Sequence, residues 1–148
     1  MDNFWKTIAR PTVIALVALP LAVACRGPHH ANMTEGEVAE HMQDVAEIGL
    51  DYVDATDQQI ARVNEVLSGV APDVVKLRAE HRALAAELRG ELAKSSIDRA
   101  RVEALRQRAL ELFDRATRRS SDALLAAAET LTPEQRTELT YKWEKYAN

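Results

Sequence analysis

Leu131-Thr132-Pro133-Glu134-Gln135 is the stretch on which the reading of this chain turns, and it has a reduced twin at Ala55-Thr56-Asp57-Gln58-Gln59. Each copy is the start of a helix. The Thr hydroxyl is placed to accept from the backbone N–H three residues on, and the Gln amide to reach back to the Thr N–H, which is the reciprocal capping box. Pro133 suits the first helical position, where its missing N–H is not needed, and Glu134 faces the positive end of the helix dipole. By itself a capping box identifies a helix start and no function.

Outward from these two boundaries the chain reads as helix. At 148 residues it has room for one domain, and five Gly, five Pro and few aromatics leave no run of strand-like alternation long enough to compete. Thr34 with Glu37 three residues later opens a first helix striped by Val38, Met42, Val45, Ile48 and Tyr52, ending between Gly49 and Asp54. The second helix follows Thr56 with Ile60, Val63, Leu67 and Val70 on one face. Ser68-Gly69 and Pro72 are expected to bend or break it. The pattern resumes as Val74, Leu77, His81, Leu84, Leu88 and Leu92, a 3-4 spacing suited to a coiled-coil seam. Ser95-Ser96 reads as the turn and next cap. A third helix from about Asp98 to Thr130 carries Val102, Leu105, Ala109, Leu112, Ala116, Ala123, Ala127 and Leu131 along one stripe. At 1.5 Å per residue it is about 50 Å long, too long to bury itself, so it must pair with the second helix as an elongated antiparallel hairpin. The fourth helix follows Thr132, with Leu139, Trp143 and Tyr146 at i, i+4, i+7.

The N-terminal 24 residues have the layout of an export signal: basic Lys6 and Arg10, an apolar run from Thr12 to Ala24, and small residues at Ala22-Val23-Ala24. A bilayer-spanning helix needs about 20 apolar residues, so this one reads as cleaved, with an uncleaved anchor as the alternative. Cys25 is the only cysteine, which rules out an internal disulfide. It ends Leu21-Ala22-Val23-Ala24-Cys25, a stretch that resembles a lipobox, and lipidation of Cys25 would hold the protein on a membrane surface. Residues 25–33 then form a flexible tether before the folded part at 34–148.

Two copies of the Thr-x-x-Gln element in a small, helical, export-signalled chain resemble the Spy/CpxP family of periplasmic proteins, whose mark is a repeated Leu-Thr-x-x-Gln. Leu131, Thr132 and Gln135 match it fully; Thr56 and Gln59 match, with Ala55 in place of Leu. The resemblance implies an all-α, four-helix, cradle-shaped antiparallel homodimer in the periplasm. It further implies an ATP-independent chaperone binding unfolded or misfolded envelope proteins, with metal-sensing, metal-resistance and kinase-repressing relatives.

Composition narrows the chemistry further. The formal charge of −4 becomes −5 without the first 24 residues, which carry Lys6 and Arg10 against Asp2, and an acidic chain argues against generic nucleic-acid binding. There is no Gly-rich phosphate loop, His-Glu-x-x-His helix or Gly-x-Ser-x-Gly elbow, so no enzyme and no organic cofactor is expected. A divalent metal remains open: His29, His30 and Met33 lie in the tether, Glu37 and His41 are one turn apart beside Met42, and His81 interrupts an apolar seam. Glu37, His41 and His81 are the candidate ligands. A lone His on a helix stripe is more often a core residue with a hydrogen-bond partner.

From Asp98 to Arg119 the third helix carries seven Arg against four acidic residues. Long exposed helices are usually studded with charge, and pairs such as Glu111 with Arg115 are expected at i, i+4. The functional reading makes Arg108, Arg115, Arg118 and Arg119, beside exposed Leu and Val, a mixed surface for unfolded clients. Three expectations stand side by side: a client-binding chaperone, a metal binder or sensor, and an adaptor that represses an envelope sensor kinase.

Overall fold

The computed structural model describes residues 33–147, and side chains from residue 143 on lie outside what is described. The signal-like segment, Cys25 and the tether histidines His29 and His30 fall outside these residues. The fold is all-α, with four helices in the order α1 (Glu35–Tyr52), α2 (Asp57–Leu92), α3 (Arg99–Ala128) and α4 (Pro133–Ala147). Among the described residues there is no strand, and no helix is long and apolar enough to cross a membrane.

Three of the four helix starts carry the expected capping box. Thr34 accepts from the Glu37 N–H while the Glu37 carboxylate accepts from the Thr34 N–H, and Thr56 with Gln59 and Thr132 with Gln135 repeat the exchange. The cap of α3 differs from expectation. Ser95 and Ser96 lie in the turn, and Asp98 is the N-cap, its Oδ1 accepting from the N–H of Ala100 at 2.9 Å and of Arg101 at 3.1 Å. A carboxylate outbids a hydroxyl here because it accepts both bonds and sits at the positive end of the helix dipole. Buried Glu91 closes the same turn by accepting from the Asp98 N–H and pairing with Lys94. Between α1 and α2 the chain reverses through Asp54, whose φ of 49° is left-handed.

The expected interruption at Pro72 does not break the helix; α2 runs through it for 36 residues. Proline removes one backbone bond, but Val70, Ala71 and Val74 around it are all buried, and packing on this stretch overrides local propensity. α2 is the central element, with α1 and α3 both laid along it. One core cluster joins Val38 of α1 to Val70, Ala71 and Val74, with Ala123 of α3 against it. The other joins Leu50, Val63 and Leu131, with Leu139 of α4 against it. At 1.5 Å per residue α1 spans about 27 Å and α2 about 54 Å, so α1 covers only about the first half of α2. Beyond it α2 and α3 continue as a two-helix hairpin.

Candidate functional site

The four helices converge on two glutamines. Gln59 and Gln135 each complete a capping box, and each also faces the other. Gln59 Nε2 donates to Gln135 Oε1 at 2.8 Å, and Gln135 Nε2 donates back to Gln59 Oε1 at 3.3 Å. The second proton of each amide goes to the end of the opposite helix pair: Gln59 Nε2 to the carbonyl of Thr130 at 3.0 Å, Gln135 Nε2 to that of Val53 at 3.2 Å. Each carbonyl oxygen in turn accepts the N–H of its own N-cap threonine, both at 2.9 Å. Every donor proton and acceptor lone pair of both amides is used. The repeat is therefore a reciprocal lock, in which a cap on α2 holds the end of α3 and a cap on α4 holds the end of α1. Arg136 adds to it by donating to the carbonyls of Leu131 at 2.6 Å and Ala128 at 3.2 Å, the latter also accepting from the Leu131 N–H at 3.1 Å.

Leu131 explains the one difference between the copies at the Leu, Thr and Gln positions of the repeat. It is buried in the second cluster, whereas Ala55, at the matching position, is partly buried against the same cluster. The capping was legible in the sequence; the facing of the two amides was not, because nothing local announces a contact across 76 residues.

At the other end of α2 and α3 the charges expected to form a basic surface are compensated. Arg119 pairs with Asp73, Arg115 with Glu80 at 2.5 Å, and Arg108 with Glu87 at 2.7 Å; Arg101 reaches the same Glu87 carboxylate at 2.5 Å. Arg118 pairs with Asp114 one turn back on its own helix. The expected Glu111–Arg115 pair gives way to the bond across to Glu80, which the antiparallel register brings within reach. These bonds hold the carboxyls of Glu80 and Glu87 below the usual carboxylate value, chiefly through the Arg115 and Arg108 guanidiniums. The excess of positive charge on α3 is thus a ladder binding it to α2. A signal for it lies in the sequence: Asp73, Glu80 and Glu87 recur every seven residues on one helix, and Arg101, Arg108 and Arg115 every seven on the next.

The apolar component behaves differently. Leu105, Leu112 and Ala116 are buried against α2, but two helices cannot enclose a seam. Leu88 is 37% exposed, Leu92 53%, Ile97 49%, Leu110 51% and Phe113 50%. These side chains lie on the two-helix half and the turn that closes it.

The candidate metal ligands are not brought together. Among the described residues no group of three or more His, Cys, Asp or Glu could hold a metal ion. Glu37 is committed to its capping box: one oxygen accepts from the Thr34 N–H at 2.7 Å and the Thr34 hydroxyl at 2.9 Å, and these bonds keep its carboxyl below the usual value. His41 and His81 are both half-buried, on α1 and α2. His81 lies almost a turn beyond Arg78, which already meets Met33, the residue just before α1's cap.

A family model described as heavy-metal resistance matches residues 12–138. No curated protein and no solved structure matches the chain.

Proposed function

From a chain that belongs to the heavy-metal resistance family, of the Spy/CpxP-like helical kind, we propose an ATP-independent chaperone of the bacterial envelope that holds unfolded proteins on the apolar surface of its two-helix half. The observation that carries this reading is the set of large side chains Leu88, Leu92, Ile97, Leu110 and Phe113, left between 37% and 53% exposed on the two-helix half. Scattered exposed leucines are ordinary, but five on one hairpin end form a surface for apolar segments. The flanking charges keep that surface soluble and let a client leave again, so the mechanism is reversible adsorption that slows aggregation without nucleotide. In the envelope, the export signal would place it where such clients appear, and Cys25 would fix it to a membrane.

The test is aggregation of a reduced or acid-unfolded client in the presence of chelator. Suppression is expected at equimolar protein, and its loss in Leu110→Ser/Phe113→Ser at unchanged melting temperature. Inactivity of the wild type at several-fold excess removes the proposal.

The family's description favours a second reading, a heavy-metal binder in which His41 and His81 act with residues outside the described ones. Calorimetric titration with zinc, nickel, cobalt and copper separates the two. Heats that are absent, or unchanged in His41→Ala and His81→Ala, remove the metal reading.

A further inference from the structure

The exposed apolar residues of the two-helix half stand on the same lines of the helix surface that α1 covers in the other half. In a packed helix pair, residues seven apart fall on one line along the seam. On α2, Ala71 is 1% exposed in the first core cluster; its successors at seven-residue steps are Arg78 at 8%, half-buried Ala85, and Leu92 at 53%. The line of Val74 behaves alike, running from 6% through half-buried His81 to Leu88 at 37%. On α3, Ala123 packs against that cluster and Ala116 is 1% exposed, whereas Ala109 on the same line is exposed. Phe113, half exposed, stands two such steps from Ala127, which is partly buried against the second cluster. Cover is lost where α1 ends. Met33, just before the cap of α1, meets Arg78, and the stretch of α2 from there to Leu92 is about 21 Å long at 1.5 Å per residue. The ion-pair ladder does not cross this trough. Asp73, Glu80 and Glu87 each stand two residues past Ala71, Arg78 and Ala85, about 200° around the helix and so on its opposite flank.

The trough therefore continues past the helix that fills its first half, and α1 shows what it accepts. That helix turns Val38, Met42, Ala46 and Leu50 inward and leaves Glu40, Asp44, Glu47 and Asp51 exposed on its outer side. In the second half, small Ala85 and Ala109 leave room for a helix backbone between the larger Leu88, Leu92, Leu110 and Phe113. Exposed cations border it: Arg89 is two steps from Val75, which packs against the first cluster, and Arg99 is two steps from Phe113. A single extended strand laid here would press unpaired backbone groups on apolar side chains, whereas a helix satisfies its own. We infer that the client surface is a helix seat, taking an amphipathic α-helical segment of about four turns with carboxylates flanking its apolar stripe. The inference rests on the chaperone reading for what the partner is, and adds the form in which the partner is held.

The experiment is fluorescence-anisotropy titration of labelled synthetic peptides with the full-length protein, each peptide about 15 residues of Leu, Ala, Glu and Gln. One carries Leu at helical spacing with Glu beside the stripe; the other has the same composition with Leu at alternate positions. The helical-period peptide is expected to bind at least about tenfold tighter, because only its leucines share one face of a helix, and to gain helicity by circular dichroism on binding. Ala109→Glu, which sets a carboxylate on the floor of the seat, should weaken that binding at least about tenfold at unchanged melting temperature. Ala104→Glu, on a line that carries exposed Glu111 and Arg118, should leave it as it is. Equal binding of the two peptides, binding without gain of helix, or equal losses in the two variants overturns the seat. So does a dimer in sedimentation equilibrium that Ala109→Glu dissociates, which would give the trough to a second copy. The aggregation assay judges the chaperone reading separately. Suppression with no preference between the peptides removes the seat alone, and tight helix binding without suppression supports the seat while removing the chaperone.

Discussion

The two ends of this helical assembly are built on opposite principles. Where α1 meets α2 and α3 meets α4, apolar residues from all four helices surround Leu50, Val63 and Leu131, and two glutamine amides with no unused hydrogen-bonding capacity fix the helix ends to one another. At the far end only α2 and α3 remain, joined by a narrow seam and a ladder of exposed ion pairs, with large apolar side chains facing water. At the first end, too, apolar side chains reach water, with Leu125 61% and Tyr141 66% exposed, but there a core drawn from four helices lies beneath them, whereas the far end has only its two-helix seam. The lesson is that a small helical protein need not distribute its core evenly to present an apolar face.

The strongest way to break the comparison is to damage the locked end. Leu131→Ala removes a buried side chain at a point where four helices meet, and is expected to cost about 2 to 5 kcal/mol by chemical denaturation. The same truncation at Leu92, 53% exposed on the hairpin, should cost less than about 1 kcal/mol. Equal losses would show that the two ends share the load.

Gln135 sharpens the point, because capping and locking can be separated. In Gln135→Glu the side chain still accepts from the Thr132 N–H, as Glu37 does for Thr34 in the same molecule. It has no N–H to give to Val53 or Gln59. A residue that only caps would be replaced with little change. The lock instead predicts a loss of about 1 to 3 kcal/mol, since the Val53 carbonyl loses its Gln135 donor and Gln59 Oε1 loses one of the donors it accepts from. A double-mutant cycle with Gln59→Ala should show coupling of at least about 0.5 kcal/mol. Thr132→Ala, which removes a cap acceptor and leaves the amide pair in place, should cost about 1 kcal/mol.

These contrasts also mark where the sequence was legible. The capping boxes of Thr34, Thr56 and Thr132, the apolar stripes and the antiparallel pairing of α2 with α3 follow from short-range rules, and they are present as read. What failed to show was tertiary. Pro72 signals an interruption, yet packing around Val70 and Val74 carries the helix through it. Counting charge on α3 alone gave a basic surface, because the neutralising carboxylates sit on α2 and only the register aligns them. The candidate ligands Glu37, His41 and His81 were grouped by residue type, and the fold assigns Glu37 to a cap and supplies no cluster among the described residues. The burial of Arg78 gave no signal at all, since an arginine on a helix is ordinarily read as surface.

The smallest expected effect concerns the ladder, and its sign is fixed by the direction of the shifts. Glu80 and Glu87 are held below their ordinary value of 4.5 by hydrogen bonds from Arg115 and Arg108, and Glu103 is lowered to about 2 by Arg106 and Gln107. A carboxyl whose folded pKa is depressed contributes stability above its unfolded pKa and loses it as pH falls through the folded value. The Glu80 and Glu87 pairs are therefore intact at neutral pH and weaken as pH falls below about 4.5, whereas Gln59, Gln135 and the backbone groups they hold do not titrate. Because these pairs are solvated and screened, their loss should scarcely move the global melting temperature. It should instead appear locally: hydrogen exchange at pH 3 is expected to quicken in residues 84–110 relative to pH 6 after correction for intrinsic rates, with residues 53–64 and 130–139 unchanged. One molar salt at pH 6 should reproduce the pattern in weaker form. Uniform opening of both ends with acid would mean that the ladder and the lock belong to one cooperative unit, and the division between a stable end and an exposed end would fail.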